Sequence, residues 1–123
     1  MTSYHFNSRS ALELWFSTLK ASLASGGHDL SSRQMAVLMN VYLGTPPHTV
    51  RSLSEALAIP RPAITRSLDA LERLDLVRRK PDAEDRRVVV IQRTVKGSVF
   101  LTEFGNQMVR AAERHNSHKH KAD

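Results

Sequence analysis

The chain contains no cysteine. Disulfides, thiolate metal sites and cysteine-based redox sensing are therefore excluded. Long apolar runs are missing too. The longest is Met35-Ala36-Val37-Leu38-Met39, and a membrane-spanning helix takes about 20 apolar residues. No charged stretch followed by an apolar core opens the chain, so no signal peptide is expected and the protein reads as cytoplasmic. No Ser-His-Asp order, carboxylate pair or glycine-rich phosphate loop is placed by a structural cue, so no catalytic residue is assigned and no enzyme is expected. Acids are in deficit: 12 Asp and Glu face 18 Lys and Arg, a formal net charge of +6 at pH 7. Such a balance points to polyanionic partners and says nothing about fold.

What is present is ordinary globular composition, 41% hydrophobic and 24% charged over 123 residues, the size of one domain. The charge is unevenly spread. Residues 51–96 hold nine arginines and two lysines against seven acids, while the flanking segments are near balance. Arginine suits bidentate contacts to phosphate and guanine, where lysine acts more as a point charge.

Helical periodicity predicts a first helix over residues 11–25. Leu12, Phe16, Leu19 and Leu23 form its stripe, Leu14 and Trp15 widen it, and Gly26-Gly27 stops it. A second helix is expected from Ser31 or Ser32 to Leu43, with Met35, Leu38, Val41 and Tyr42 inward and Gly44 at its end. Thr45-Pro46-Pro47-His48 reads as a turn. A short helix over 51–58 should bury Leu53, Ala56 and Leu57, with Ile59-Pro60 as the break. A fourth helix begins at Arg61 or Pro62 and runs to Leu74, since proline fits a first turn whose N–H groups lack partners. Ile64, Leu68 and Leu71 are its inner face, and Arg61, Pro62, Thr65, Arg66 and Asp69 its outer one. The period then shortens. Residues 76–80 read as a strand, 81–86 as a charged loop and 87–92 as a β-branched strand. Thr94 caps a last helix over 95–114 with an apolar stripe of Phe100, Leu101, Phe104, Met108 and Ala111.

The fold class expected is mainly α with a small β-hairpin: a winged helix-turn-helix flanked by N- and C-terminal helices. Residues 1–9 are read as a flexible N-terminus, 10–114 as the domain with flanking dimerisation-type helices, and 115–123 as a disordered polar tail. A helix with small and basic residues near its N-terminal end suits base edges in a major groove. A basic hairpin directly after it can reach phosphates or an adjacent minor groove. Two other functions fit the same fold: a winged helix that docks onto protein, and an architectural protein that binds DNA without regard to sequence.

The motifs resemble the MarR family of bacterial transcriptional regulators, as a short member. They are Thr49-Val50, Thr65-Arg66, Leu76-Val77-Arg78-Arg79, Asp82-Ala83-Glu84-Asp85-Arg86-Arg87 and Thr94-Val95-Lys96-Gly97, with Leu30-Ser31-Ser32-Arg33-Gln34 similar to the opening of the family's second helix. The resemblance implies a homodimer on a pseudo-palindromic double-stranded DNA site, usually a repressor, in the bacterial cytoplasm and at the nucleoid. By position it implies DNA-binding roles for Arg61, Pro62, Thr65, Arg66, Arg78, Asp85, Arg86 and Arg87. Arg87 is the expected minor-groove arginine and Asp85 the acid that orients it, whereas Asp82 and Glu84 read as a solvated tip.

Family members are typically longer, with a second C-terminal helix. Dimerisation is therefore assigned to Leu12, Trp15, Phe16 and Leu19 of the first helix and Phe100, Phe104 and Met108 of the last. The resemblance also implies a small aromatic effector, to which no residue is assigned. Trp15, Phe16, Tyr42 and Phe100 are aromatic candidates that read better as core. No cofactor is expected. His115, His118 and His120 have a spacing able to meet a metal, but no acid or cysteine completes a site and they read as a polar tail.

Three positions depart from the family pattern. Pro60 replaces a serine cap. Asp75 replaces a glycine at the end of the fourth helix, where aspartate tolerates the left-handed conformation. Arg93 stands where a leucine packs the wing on the body, so either its stem lies along the surface or its head adds a phosphate contact.

Overall fold

The computed structural model describes residues 6–122, with side chains as far as residue 116. The elements run α1 (Ser8–Ala24), α2 (Ser32–Leu43), α3 (Val50–Leu57), α4 (Arg61–Arg73), β1 (Val77–Pro81), β2 (Val89–Arg93) and α5 (Val95–Ala122). Among the described residues, five helices and one antiparallel hairpin make the winged helix-turn-helix expected from the sequence. No helix among the described residues is long and apolar enough to cross a membrane. The chain divides into two compact units, one of which is Leu30–Leu101. The other contains α1 and the part of α5 from Thr102 onward.

In the first unit, helix starts are set by local chemistry. Ser31 and Gln34 form a reciprocal capping box at α2, and Thr49 and Ser52 form another at α3. Each satisfies N–H groups that a helix leaves without intrahelical partners. The core takes Val37, Leu38 and Val41 from α2, Leu53 from α3, Ile64, Leu68 and Leu71 from α4, and Leu76, Val77 and Ile91 from the hairpin. On α2, Val37 is buried where Met35 was expected, and Met35 is half-buried. On α3, Ala56 is exposed and Leu57 only partly covered, so Leu53 is that helix's one buried anchor. The turn from α3 to α4 passes through Ala58, which adopts a left-handed φ of 54°.

The hairpin pairs Val77 with Arg93, Arg79 with Ile91 and Pro81 with Val89. It starts and ends one residue or two later than the sequence predicts. His48, expected in a turn, is buried, and its carbonyl accepts from the Ile91 N–H at 2.8 Å. The segment before α3 thus adds an extended rung to the wing.

In the second unit, α1 starts three residues before the expected boundary. Asn7 and Ser10 form a capping box there, a signal that lies upstream of the apolar periodicity. The face that α1 buries is small and polar: Ser10, Thr18 and Ser22, with the Thr18 hydroxyl donating to the Leu14 carbonyl at 2.8 Å. Phe104 of α5 is buried edge-on to Trp15, ring centroids 5.9 Å apart. The Gln107 side-chain amide donates to Ser25 Oγ at 3.2 Å. α5 runs on through Ala122, into the segment read as a disordered tail. No glycine or proline follows Gly105 to end it.

Candidate nucleic-acid interface

Helix α4 opens without a side-chain cap. The Pro60 carbonyl accepts from the N–H groups of Ala63 and Ile64 at 3.0 and 3.1 Å. Pro62, in the first turn, has no N–H to leave unsatisfied. Ala63, Ile64, Ser67, Leu68 and Leu71 take the buried side. Arg61, Pro62, Thr65 and Arg66 are exposed as a consequence of that phasing. Neither arginine has an ion pair or hydrogen bond among the described residues. Asp69 does not belong with them: its carboxylate is engaged by Arg79.

The wing tip is held by its acids. Asp82 accepts from the Asp85 N–H at 3.2 Å through a side-chain oxygen, and its own N–H donates to the Val88 carbonyl at 2.8 Å. Asp82 therefore closes the loop, which corrects its reading as a solvated tip residue. Asp85 Oδ1 receives Arg87 Nε at 3.0 Å, and its other oxygen receives the same guanidinium at 3.3 Å. The Arg87 N–H adds a bond of 3.2 Å. These contacts, the side-chain one foremost, hold the Asp85 carboxyl below the usual aspartate range. The Arg87 side chain is still 91% exposed. Arg86 and Arg78 are exposed and carry no ion pair among the described residues. Strand alternation turns Arg78 and Lys80 outward and Val77 and Arg79 toward the body.

Arg79 stands in the Leu76-Val77-Arg78-Arg79 motif, but the sequence assigned it no role of its own. Its guanidinium lies 2.7 Å from Asp69 and 2.8 Å from Glu72, and its N–H donates to Glu72 at 3.0 Å. That backbone bond first, then the guanidinium, pulls the Glu72 carboxyl below its ordinary value. The sequence signal for it is two acids three apart on one helix, with an arginine at an inward strand position soon after.

Arg93 resolves the alternatives left by the sequence. Its Nε donates to the Val41 carbonyl at 3.1 Å and its head to the Gly44 carbonyl at 3.3 Å, with the guanidinium 5.6 Å from the centre of the Tyr42 ring. It caps the C-terminal end of α2, where a cation also suits the helix dipole. Tyr42 packs against the core. Its hydroxyl accepts from the Thr94 N–H at 2.9 Å and lies 2.8 and 3.1 Å from the Thr94 and Leu76 carbonyls, to one of which it donates. Thr94 Oγ1 in turn accepts from the Gly97 N–H at 2.9 Å and donates to the Asp75 carbonyl at 2.7 Å. Asp75 has the left-handed φ, 60°, that its position in the pattern suggested.

The residues assigned to dimerisation separate. Leu12 is 68% exposed and Phe16 62% exposed, and Trp15 and Leu19 also reach solvent. Phe104 is covered by its own chain, which corrects its assignment to an interface with a partner. Phe100 packs against the core and Met108 is half-buried. No group of three metal-ligating side chains occurs among the described residues, and the side chains of His118 and His120 lie outside them.

A sequence profile of the MarR family matches residues 28–88. The chain belongs to the MarR family. That family is one of transcriptional regulators, not enzymes, and its fold is the one built above. Solved MarR-family structures superpose well. YusO from Bacillus subtilis matches at 23% identity and a TM-score of 0.72, over 89% of this chain and 77% of that one. A variant of MepR from S. aureus, bound to an oligodeoxyribonucleotide, matches at 21% identity and 0.76, over 92% and 84%. The transcriptional repressor CouR, bound to a 23-mer DNA duplex, matches at 25% identity and 0.67, over 89% and 74%. CouR from Rhodococcus jostii RHA1 has also been solved with p-coumaroyl-CoA bound. MarR-fold proteins thus sit on DNA, and at least one takes a small ligand.

Proposed function

We propose that this protein is a sequence-specific double-stranded DNA-binding regulator that acts as a homodimeric repressor in the bacterial cytoplasm, on nucleoid DNA. The observation that carries this reading is the sorting of charge. Three acids near the DNA-facing surface are engaged within the chain, Asp69 and Glu72 by Arg79 and Asp85 by Arg87, while Glu84 at the wing tip stays exposed. Arg61, Arg66, Arg78 and Arg86 stay exposed and unpaired among the described residues. In this reading Arg61, Pro62, Thr65 and Arg66 approach base edges and flanking phosphates in the major groove. Arg86 and Arg87 approach the minor groove, with Asp85 holding Arg87 ready. Arg78 takes a phosphate. The exposed apolar face of α1 supports the dimer, since a two-fold protein matches a two-fold DNA site. The ligand held by CouR supports a small aromatic effector here too.

Fluorescence anisotropy with two labelled duplexes across a salt series tests this. One duplex comes from upstream of the protein's own gene, and the other is a shuffled copy. The expected result is salt-steep binding with a preference of about 10³ or more for the first. Equal binding to both points to an architectural protein, and no binding at low salt to a protein-docking module.

A further inference from the structure

A two-stranded hairpin is marginal by itself and takes its orientation from what it packs against. Here the hairpin's base has a specific attachment to α4. Asp69 and Glu72 stand three apart on one face of that helix, and the Arg79 guanidinium spans both, at 2.7 and 2.8 Å. Arg79 also gives its Nε to Glu72 at 2.9 Å and its backbone N–H to the other oxygen of the same carboxylate at 3.0 Å. Side chain and strand backbone are thus tied to one acid together, which fixes direction as well as distance. The Arg79 side chain is only 27% exposed.

Thr65 lies four residues before Asp69 on the same helix row, about 6 Å along the axis. On the strand, Arg79 is two residues from Pro81, where the tip loop begins, about 7 Å away. One arginine therefore joins the face that carries Thr65 and Arg66 to the lever that carries Arg86 and Arg87. We propose that Arg79, with Asp69 and Glu72, is a positioning clamp that sets the wing against the recognition helix, so that base contacts and wing contacts register on DNA together. The inference rests on the DNA-binding reading above. Arg79 itself touches no DNA in it, because its charge is already matched by two carboxylates.

The test uses the full-length protein and a duplex selected by the wild type from a random library, with a shuffled duplex as control. Arg79→Met, Glu72→Gln and Asp69→Asn are compared with the wild type, and Arg79→Lys serves as the conservative variant. Thermal melting establishes that each is folded, and Asp69→Asn, which keeps the Glu72 half of the clamp, covers the case in which Arg79→Met is not. A clamp predicts that Arg79→Met and Glu72→Gln each lower the preference for the selected duplex by roughly tenfold or more. Shuffled-duplex affinity and the salt slope stay as they were. Lysine, which lacks the planar fork, restores only part of the preference. A phosphate-binding Arg79 predicts otherwise: the slope falls by about one in Arg79→Met, while Glu72→Gln frees a cation and tightens binding to both duplexes. That pattern overturns the proposal, as does a lowered melting temperature with the preference intact. Failure of the wild type to bind any duplex at low salt overturns the DNA-binding reading and the clamp with it.

Discussion

Arg87 is the residue on which the wing's role turns. Its side chain is 91% exposed, yet its guanidinium is tethered to Asp85 by two bonds, so its head is aimed before any partner arrives. Pre-aiming of this kind reduces the ordering cost of binding. Arg87→Ala should weaken DNA binding by roughly 1–3 kcal/mol and flatten the salt dependence by about one unit per protomer. Anisotropy across a salt series reads both numbers, and an unchanged affinity removes the wing from the mechanism. Gly97 shows a different constraint. A Cβ built there collides with the Tyr42 hydroxyl and the Leu76 carbonyl. Gly97→Ala should cost about 1–3 kcal/mol of overpacking, seen as a lower denaturation midpoint. Adding Tyr42→Phe should not restore it, because the Leu76 carbonyl is backbone and remains in the way. The glycine of the Thr94-x-x-Gly97 motif is thus a space requirement set jointly by the Tyr42 hydroxyl and the Leu76 backbone carbonyl.

At the scale of elements, the joint between α4 and β1 is electrostatic as well as apolar. Leu76 and Val77 enter the core directly after the helix, and Arg79 then closes the pair. Because Glu72 binds its proton more weakly in the folded protein than as a free side chain, its stabilising contribution is complete above the ordinary glutamate range. It is lost as pH falls through the depressed value. Glu72→Gln should therefore melt below the wild type at neutral pH, with the gap closing in acid. Calorimetry over a pH series checks this, and a gap constant with pH would mean that the ionised pair adds nothing. The same joint shows how far the sequence was readable. Element order, the inner face of α4 and the Asp85–Arg87 pair were visible in spacing and motif. The Arg79 clamp and the Arg93 cap on α2 were not, because each joins residues of separate elements through geometry that strand twist and helix packing set.

For the whole molecule, the apolar stripe of α1 is the feature that a single chain leaves unexplained. Periodicity marked Leu12, Phe16, Leu19 and Leu23 as a face to be covered, yet all four remain exposed while Ser10, Thr18 and Ser22 are buried. Large apolar patches on a soluble protein mark interaction sites, and the homodimer proposed above is the occupant assigned here. Sedimentation of the wild type should give a dimer, and Phe16→Glu, which puts a charge in that face, should shift it toward monomer. DNA affinity should fall by roughly 10²-fold as the second half-site is lost. A wild type that sediments as monomer at all concentrations would leave the stripe to another partner.

The sequence by itself determined the fold class and the location of the basic surface. Period, caps and turn residues are local properties, and a hydrophobic stripe with arginines on its opposite side can be phased without knowing any neighbour. It also determined that α1 is amphipathic. Only the tertiary structure decided which side of α1 faces its own chain. Small polar residues allow close helix approach and satisfy their hydroxyls on nearby carbonyls, so the less apolar face packs inward. The same holds for the arginines. All are alike as letters, and partners brought from distant elements decided that Arg79 and Arg93 brace the scaffold while Arg61, Arg66, Arg78 and Arg86 stay free among the described residues.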